Sequence, residues 1–145
     1  MQIIAVVISA VAGAAMSIQG VFNARLSDKI GLFESNTFVQ GTAFLFAIIA
    51  MAVAGNGSYG KLHEVNKLYW LGGLLGIVIT ITVMLGVQHL GPAVSVSVIL
   101  IAQLLVAATI DALGLFGTEK AAFLWTKWAG IALMVSGVVV FKLKA

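Results

Sequence analysis

The side chains with chemistry to offer are a few amides and one carboxylate set among long apolar runs. Gln103 stands near the middle of one such run, with Ser95 eight positions before it and Asp111 eight positions after it. On a 3.6-residue helix these are offset by about 80° each way, so Ser95, Ile99, Gln103, Ala107 and Asp111 trace a slowly winding strip. A primary amide carries two donors and an acceptor. In hydrocarbon it has two uses, contact with a solute crossing the membrane or a hydrogen bond that holds two helices together. Both readings of Gln103 stand. Asp111 is the one carboxylate inside an apolar run, close to its end. It reaches the headgroups, pairs with Lys120 or Lys127, or takes part in coupling. A second polar group, Gln19, Asn23, Asn36 and Gln40, surrounds the first expected connection. Asn36 reads as a helix cap and Asn23 as a turn residue, whereas Gln19 and Gln40 lie inside spans. Trp70 joins the candidates because it adjoins a glycine-rich stripe.

Other chemistries have no residues to carry them. There is no cysteine, and His63 and His89 fall in connections without partners at metal-ligand spacing, so no metal or cofactor is expected. No HExxH, phosphate-binding loop, dinucleotide fingerprint or nucleophile with a nearby base occurs, and an enzyme is not expected. Basic residues outnumber acidic ones by 8 to 5, but no two are adjacent, which argues against nucleic acid as a partner.

What must position these groups follows from composition. Of 145 residues, 61% are hydrophobic and 9% charged, against about 45–50% and about 25% in soluble domains. Such a chain cannot cover a water-facing surface, and the bilayer is its expected partner. A spanning helix needs about 20 mainly apolar residues, and the runs place five of them at about 3–22, 36–54, 68–88, 92–113 and 123–141. The expectation is an all-α membrane protein, a single five-helix transmembrane domain over 1–145. Ala12-Gly13-Ala14 resembles a signal cleavage site, but no Lys or Arg precedes it and the first helix is kept. Residues 23–34 place Leu26, Ile30 and Phe33 at helical spacing, a short amphipathic or broken helix at the membrane surface. Residues 55–66 read as a loop. His89-Leu90-Gly91-Pro92 reads as a tight turn with Pro opening the fourth helix, and Thr118 as the cap of the fifth.

The loops alternate between two sides. Lys61, Lys67, Lys120 and Lys127 fall on one side, and Arg25, Lys29, Lys142 and Lys144 on the other, a tie of four against four. Basic residues set orientation by their bias toward the cytoplasm, and here there is none. Either the tie is accidental, or the chain inserts both ways and pairs with an inverted copy, as the two halves of many transporters do. Small residues mark helix contacts: Ser9, Gly13 and Ser17 on the first span, Gly72, Gly73 and Gly76 on the third, Gly130 and Gly137 on the fifth. Tyr69, Trp70, Trp125 and Trp128 fall near helix ends, where aromatic rings favour the headgroups.

The ordered pattern Gln19-x-x-x-Asn23-x-x-Leu26, Gly31, Asn36, Gly41, then Trp70-x-Gly72-Gly73-x-x-Gly76, Leu90-Gly91, Gln103 and Asp111-x-x-Gly114-Leu115-Phe116-Gly117 resembles the YdcZ-type family of the drug/metabolite transporter superfamily. The resemblance implies a half-size transporter, in a family whose members occur as dual-topology chains, oppositely oriented pairs and fused ten-helix proteins. The chain lacks the mid-helix Glu of the small multidrug resistance exporters and the motifs of the four-helix fluoride channels. The expected protein is an antiparallel, ten-helix homodimer that moves a small neutral, zwitterionic or weakly charged organic molecule by alternating access, in both orientations in a bacterial inner membrane. The alternatives are a pore built by the same inverted dimer and a non-transporting assembly subunit.

Overall fold

A computed structural model describes residues 1–121 and 124–143; residue 123, where the fifth span was expected to begin, and Lys144 lie outside them. The described residues are helical almost throughout. They divide into two compact units, Met1–His89 and Leu90–Ala145.

In the first unit, α1 runs Gln2–Ile30 and α2 Leu32–Ala54. Twenty-nine residues at 1.5 Å each make α1 about 43 Å long, more than the ~30 Å hydrocarbon layer needs. It therefore carries its Arg25–Lys29 end past the apolar zone. This corrects the expected connection over residues 23–35. Nothing between Asn23 and Ile30 breaks a helix, and Leu26 and Ile30 continue the helical register, so the chain winds on until Gly31. There φ is +98°, a conformation that costs a side chain strain, and a Cβ would run into the Glu34 carboxylate. Gly31 serves both helices: its N–H donates to the Ser27 carbonyl at 3.0 Å, and its carbonyl accepts from the Ser35 N–H at 3.1 Å. Two further expectations fall with the loop. Asn23 lies inside α1 rather than in a turn, and Asn36 lies inside α2 rather than at its cap.

After α2, 3₁₀ turns at Tyr59–Glu64 and Lys67–Leu71 lead to α3, Gly72–Leu90. The side chains of Ser58 and Asn66 open these turns by accepting from the Gly60 and Leu68 N–H groups. α1 and α2 pack together, and α3 comes close to α1 at Gly20. A Cβ there would lie 3.1 Å from Val83 Cγ1, a tight contact that glycine avoids, which favours the close approach of the two helices.

In the second unit, α4 spans Pro92–Leu113 and α5 spans Trp125–Lys142. Pro92 opens α4 after Gly91, as the sequence leads one to expect. Gly114, in the left-handed region at φ +65°, closes α4 by donating to the Ile110 carbonyl. A short turn at Leu115–Gly117 follows. The chain then folds back, with the Ala121 N–H on the Asp111 carbonyl at 2.9 Å. Thr118 consequently does not cap α5: its hydroxyl donates to the Leu115 carbonyl at 2.9 Å, and Leu124 precedes the helix. α5 packs on α4.

Among the described residues, the helical stretches Gln2–Ile30, Leu32–Ala54, Lys67–Leu90 and Pro92–Leu113 are long and apolar enough to cross a membrane, and Trp125–Phe141 is a shorter apolar helix. Burial is the reverse of that in a soluble protein. Among the described residues the buried apolar side chains are Ala24, Met84 and Val87, outnumbered by buried Asn23, Ser27, Ser35, Asn36 and Ser95. Large apolar side chains lie outside along all five helices, Ile4, Phe46, Leu74, Val106 and Leu133 among them. A chain with polar groups inside and apolar groups outside is built for lipid.

Candidate functional site

Backbone polarity in the helices is satisfied internally, so the side chains decide where polar chemistry is left over. Hydroxyls in the apolar helices mostly bond to their own backbone one turn earlier. Ser9 donates to the Ala5 carbonyl, Ser17 to Gly13, Thr82 to Val78, Ser97 to Ala93, Thr109 to Leu105 and Ser136 to Ala132. These groups are paired and carry no further demand. An amide on a longer side chain has more capacity than its own helix can absorb, so the glutamines distinguish one region from another.

At the charged end of the first unit, Gln88 ties α3 to α1. Its Nε2 donates to Asp28 Oδ1 at 2.7 Å and lies 3.3 Å from Ser27 Oγ and 3.4 Å from the Ala24 carbonyl. The short contact to a carboxylate is the strong one. Asp28 also faces Arg25 at 3.8 Å, but the guanidinium is 82% exposed and that pair contributes little. Asn23 and Ser27, four residues apart, share the buried face of α1, and Met84 and Val87 form the apolar floor on α3. Ser35 and Asn36 are also buried, and among the described residues Ser35 Oγ and Asn36 Oδ1 have no hydrogen-bond partner. Such orphans cost about 1–3 kcal/mol each.

Nearer the middle of α2 and α3, Gln40 donates to Thr80 Oγ1 at 3.3 Å, while Thr80 donates to the Gly76 carbonyl at 2.8 Å. Gly76 lies beside this pair, where a Cβ would make only an ordinary contact, 3.7 Å from Gln40 Nε2. Gly13, Gly72 and Gly73 have a different environment: a Cβ on any of them would meet nothing within 4 Å. Ser17 is part-buried and back-bonded.

Gln19 and Gln103 are both exposed, and among the described residues neither side chain makes a hydrogen bond. Gln103 is the twelfth of the 22 residues of α4, at its centre. Ser95, two turns earlier, is buried at 2% exposure. Asp111 is half-buried and lines a cleft of about 310 Å³ between α4 and α5, with Lys127 on the opposite helix. Trp70 lies in the second 3₁₀ turn and is 53% exposed. A larger cleft, about 430 Å³, lies under the turn that follows α2, lined by Met51, Gly55, Tyr59, Lys61, Leu62 and Val65 among others. Among the described residues no three of His, Cys, Asp and Glu gather into a metal-binding group.

The structure thus brings Gln40 to Thr80, and buries Asn23 and Asn36 beside the start of α2. It leaves Gln19 and Gln103 without a hydrogen-bond partner among the described residues. Sequence reasoning missed Gln88, Thr80, Ser27 and Ser35. The one available signal was that Ser27 follows Asn23 by one helical turn; Gln88 looked like the polar end of a span.

No curated protein and no solved structure matches the chain. A family model does, over residues 4–140, and its description reads "Putative inner membrane exporter, YdcZ". That range takes in all five helices except their outermost residues. With apolar helices of spanning length, an inside-out distribution of polarity and a match over nearly its whole length, the chain belongs to the YdcZ family of inner-membrane transport proteins.

Proposed function

We propose that the chain is one half of an antiparallel homodimer that moves a small organic molecule across the inner membrane by alternating access. The observation that carries this reading is Gln103, an exposed amide at the centre of a 22-residue apolar helix with no partner among the described residues. Facing lipid, that group would forgo every hydrogen bond at a cost of several kcal/mol. A second copy or a hydrated pathway removes the penalty, and an inverted dimer supplies both. Gln19 makes the same demand from α1. The open glycines 72 and 73 give the third helix a smooth strip against which a neighbouring helix can slide. The balanced Lys and Arg distribution supports insertion in both orientations. The uncharged helix centre favours a net-neutral cargo over a bare multivalent ion.

In this scheme Gln103 and Gln19, contributed twice by the two copies, hydrogen-bond the cargo. Gln40 presents its remaining valences from its place beside Thr80, and Asn23 and Asn36 act from the end of the α1–α2 pair. Gln103→Ala is expected to lower uptake into proteoliposomes by about tenfold or more, while the dimer is recovered in normal yield. Unaltered uptake would assign Gln103 to packing. A C-terminal tag on the chain expressed alone should be accessible from both sides of the membrane; a single orientation refutes the homodimer. Saturable, slow flux is expected of the carrier, whereas large currents would mark a pore.

A further inference from the structure

The larger cleft lies where the chain leaves α2. That helix has 23 residues, about 34 Å at 1.5 Å each, so its end comes just past the ~30 Å hydrocarbon layer, at headgroup depth. Met51, in its last turn, and Leu62 and Val65, from the 3₁₀ turn that follows, give the cleft apolar walls. Tyr59 lines the same space, at the level that aromatic rings favour. A Cβ at Gly55 would run into the Met51 carbonyl, so the lack of a side chain there lets the chain turn off α2 as it does. The volume, about 430 Å³, falls within the ~300–1,000 Å³ range of ligand sites. Among the described residues Lys61 is the one charged group that lines it. Lys61 is exposed and makes no ion pair with any of them. His63 and Glu64 belong to the same turn but do not line the cleft.

We infer that this cleft seats an anionic phospholipid, its phosphate against the Lys61 ammonium and the upper part of an acyl chain along Met51, Leu62 and Val65. Three features select that class. The walls are apolar and the mouth lies at headgroup depth, which suits a molecule with a hydrocarbon chain and a polar head at one end. The lining charge is a single lysine, so a net negative head is matched. A zwitterionic head brings an ammonium of its own, which Lys61 opposes and for which the lining offers no carboxylate. Phosphatidylglycerol, with one negative charge and an uncharged glycerol, meets all three conditions. Bound there, it pins the connection between α2 and α3 to the membrane surface by Lys61. The inference is separate from the transport reading, in which Gln103 and Gln19 meet the cargo, and the failure of either leaves the other in place.

The test is native mass spectrometry of the purified, full-length protein, released from detergent micelles that carry equal amounts of dioleoyl-phosphatidylglycerol and dioleoyl-phosphatidylethanolamine. Retained phosphatidylglycerol is expected to exceed phosphatidylethanolamine by about fivefold, a comparison that needs no variant to fold. Lys61→Gln should bring the ratio close to one, and Lys61→Arg should keep it. Lys67→Gln removes a nearby charge that does not line the cleft and should leave the ratio unchanged. Leu62→Asn should lower retention of both lipids, because the chain loses part of its apolar wall. Equal retention of the two lipids by the unaltered chain overturns the inference, as does a ratio that survives Lys61→Gln. An equal fall with Lys67→Gln would reduce the effect to general surface charge, and undiminished retention by Leu62→Asn would remove the chain from the cleft; each overturns it. Displacement of phosphatidylglycerol by excess glycerol 3-phosphate would assign Lys61 to a soluble phosphate instead, and also overturns it.

Discussion

The glutamines of the two units differ in how often they are met by another helix, although Gln19 in the first unit, like Gln103 in the second, has no partner among the described residues. In Met1–His89, amides reach across helices and find partners, Gln88 on Asp28 and Gln40 on Thr80. In Leu90–Ala145, Gln103 has none among the described residues. A paired amide in an apolar environment holds helices in register, whereas an unpaired one asks for something the chain does not contain. The paired Gln88 and Gln40 therefore read as framework, and on the function proposed above Gln103 and Gln19 are the amides left for cargo or a second copy.

Substitutions can break that contrast or sharpen it. The largest loss of stability is expected from Gly31→Val, which forces a β-branched residue into a positive φ and against Glu34; about 1–3 kcal/mol should be lost, seen as a lower midpoint of thermal unfolding in detergent. Gln88→Ala comes next. Removing the charge-assisted bond to Asp28 should cost about 1–2 kcal/mol, while Gln103→Ala, in the other unit, should leave the unfolding midpoint in place. Equal losses from the two glutamines would erase the distinction between the units. Thr80→Val should cost about 1 kcal/mol, because Gln40 loses its partner; no change would mean that Gln40 is free to face the pathway. The smallest effect belongs to Ser35→Ala. Its hydroxyl is fully buried and has no hydrogen-bond partner among the described residues, so deletion should leave stability unchanged or raise it slightly. A marked fall would reveal a partner, such as a bound water or a second copy, that the isolated chain lacks.

Much of the fold was readable one segment at a time. Membrane residence, the approximate spans and the Gly91-Pro92 turn follow from runs of apolar residues and from the conformational limits of glycine and proline, which are properties of a few neighbouring positions. The segment 23–35 misled because its charges mimic a loop. Helical continuity depends on the absence of a breaker rather than on polarity, so α1 passes through Arg25, Asp28 and Lys29 and stops only at Gly31. Thr118 misled because a good cap residue does nothing unless the chain turns into a helix at that point.

The candidate amides were visible as polar residues in apolar runs, but their status was not. Gln40, Gln88 and Gln103 are alike when read along the chain. What separates them is whether a hydroxyl or carboxylate on another helix, 40 to 60 residues away, comes within bonding distance. Transfer of a segment into lipid is a sum of local free energies and is therefore written in the order of residues. Pairing between helices depends on their rotation and approach, set here by Gly20 against Val83 and by the one-residue turn at Gly31, and it exists only once the helices are packed.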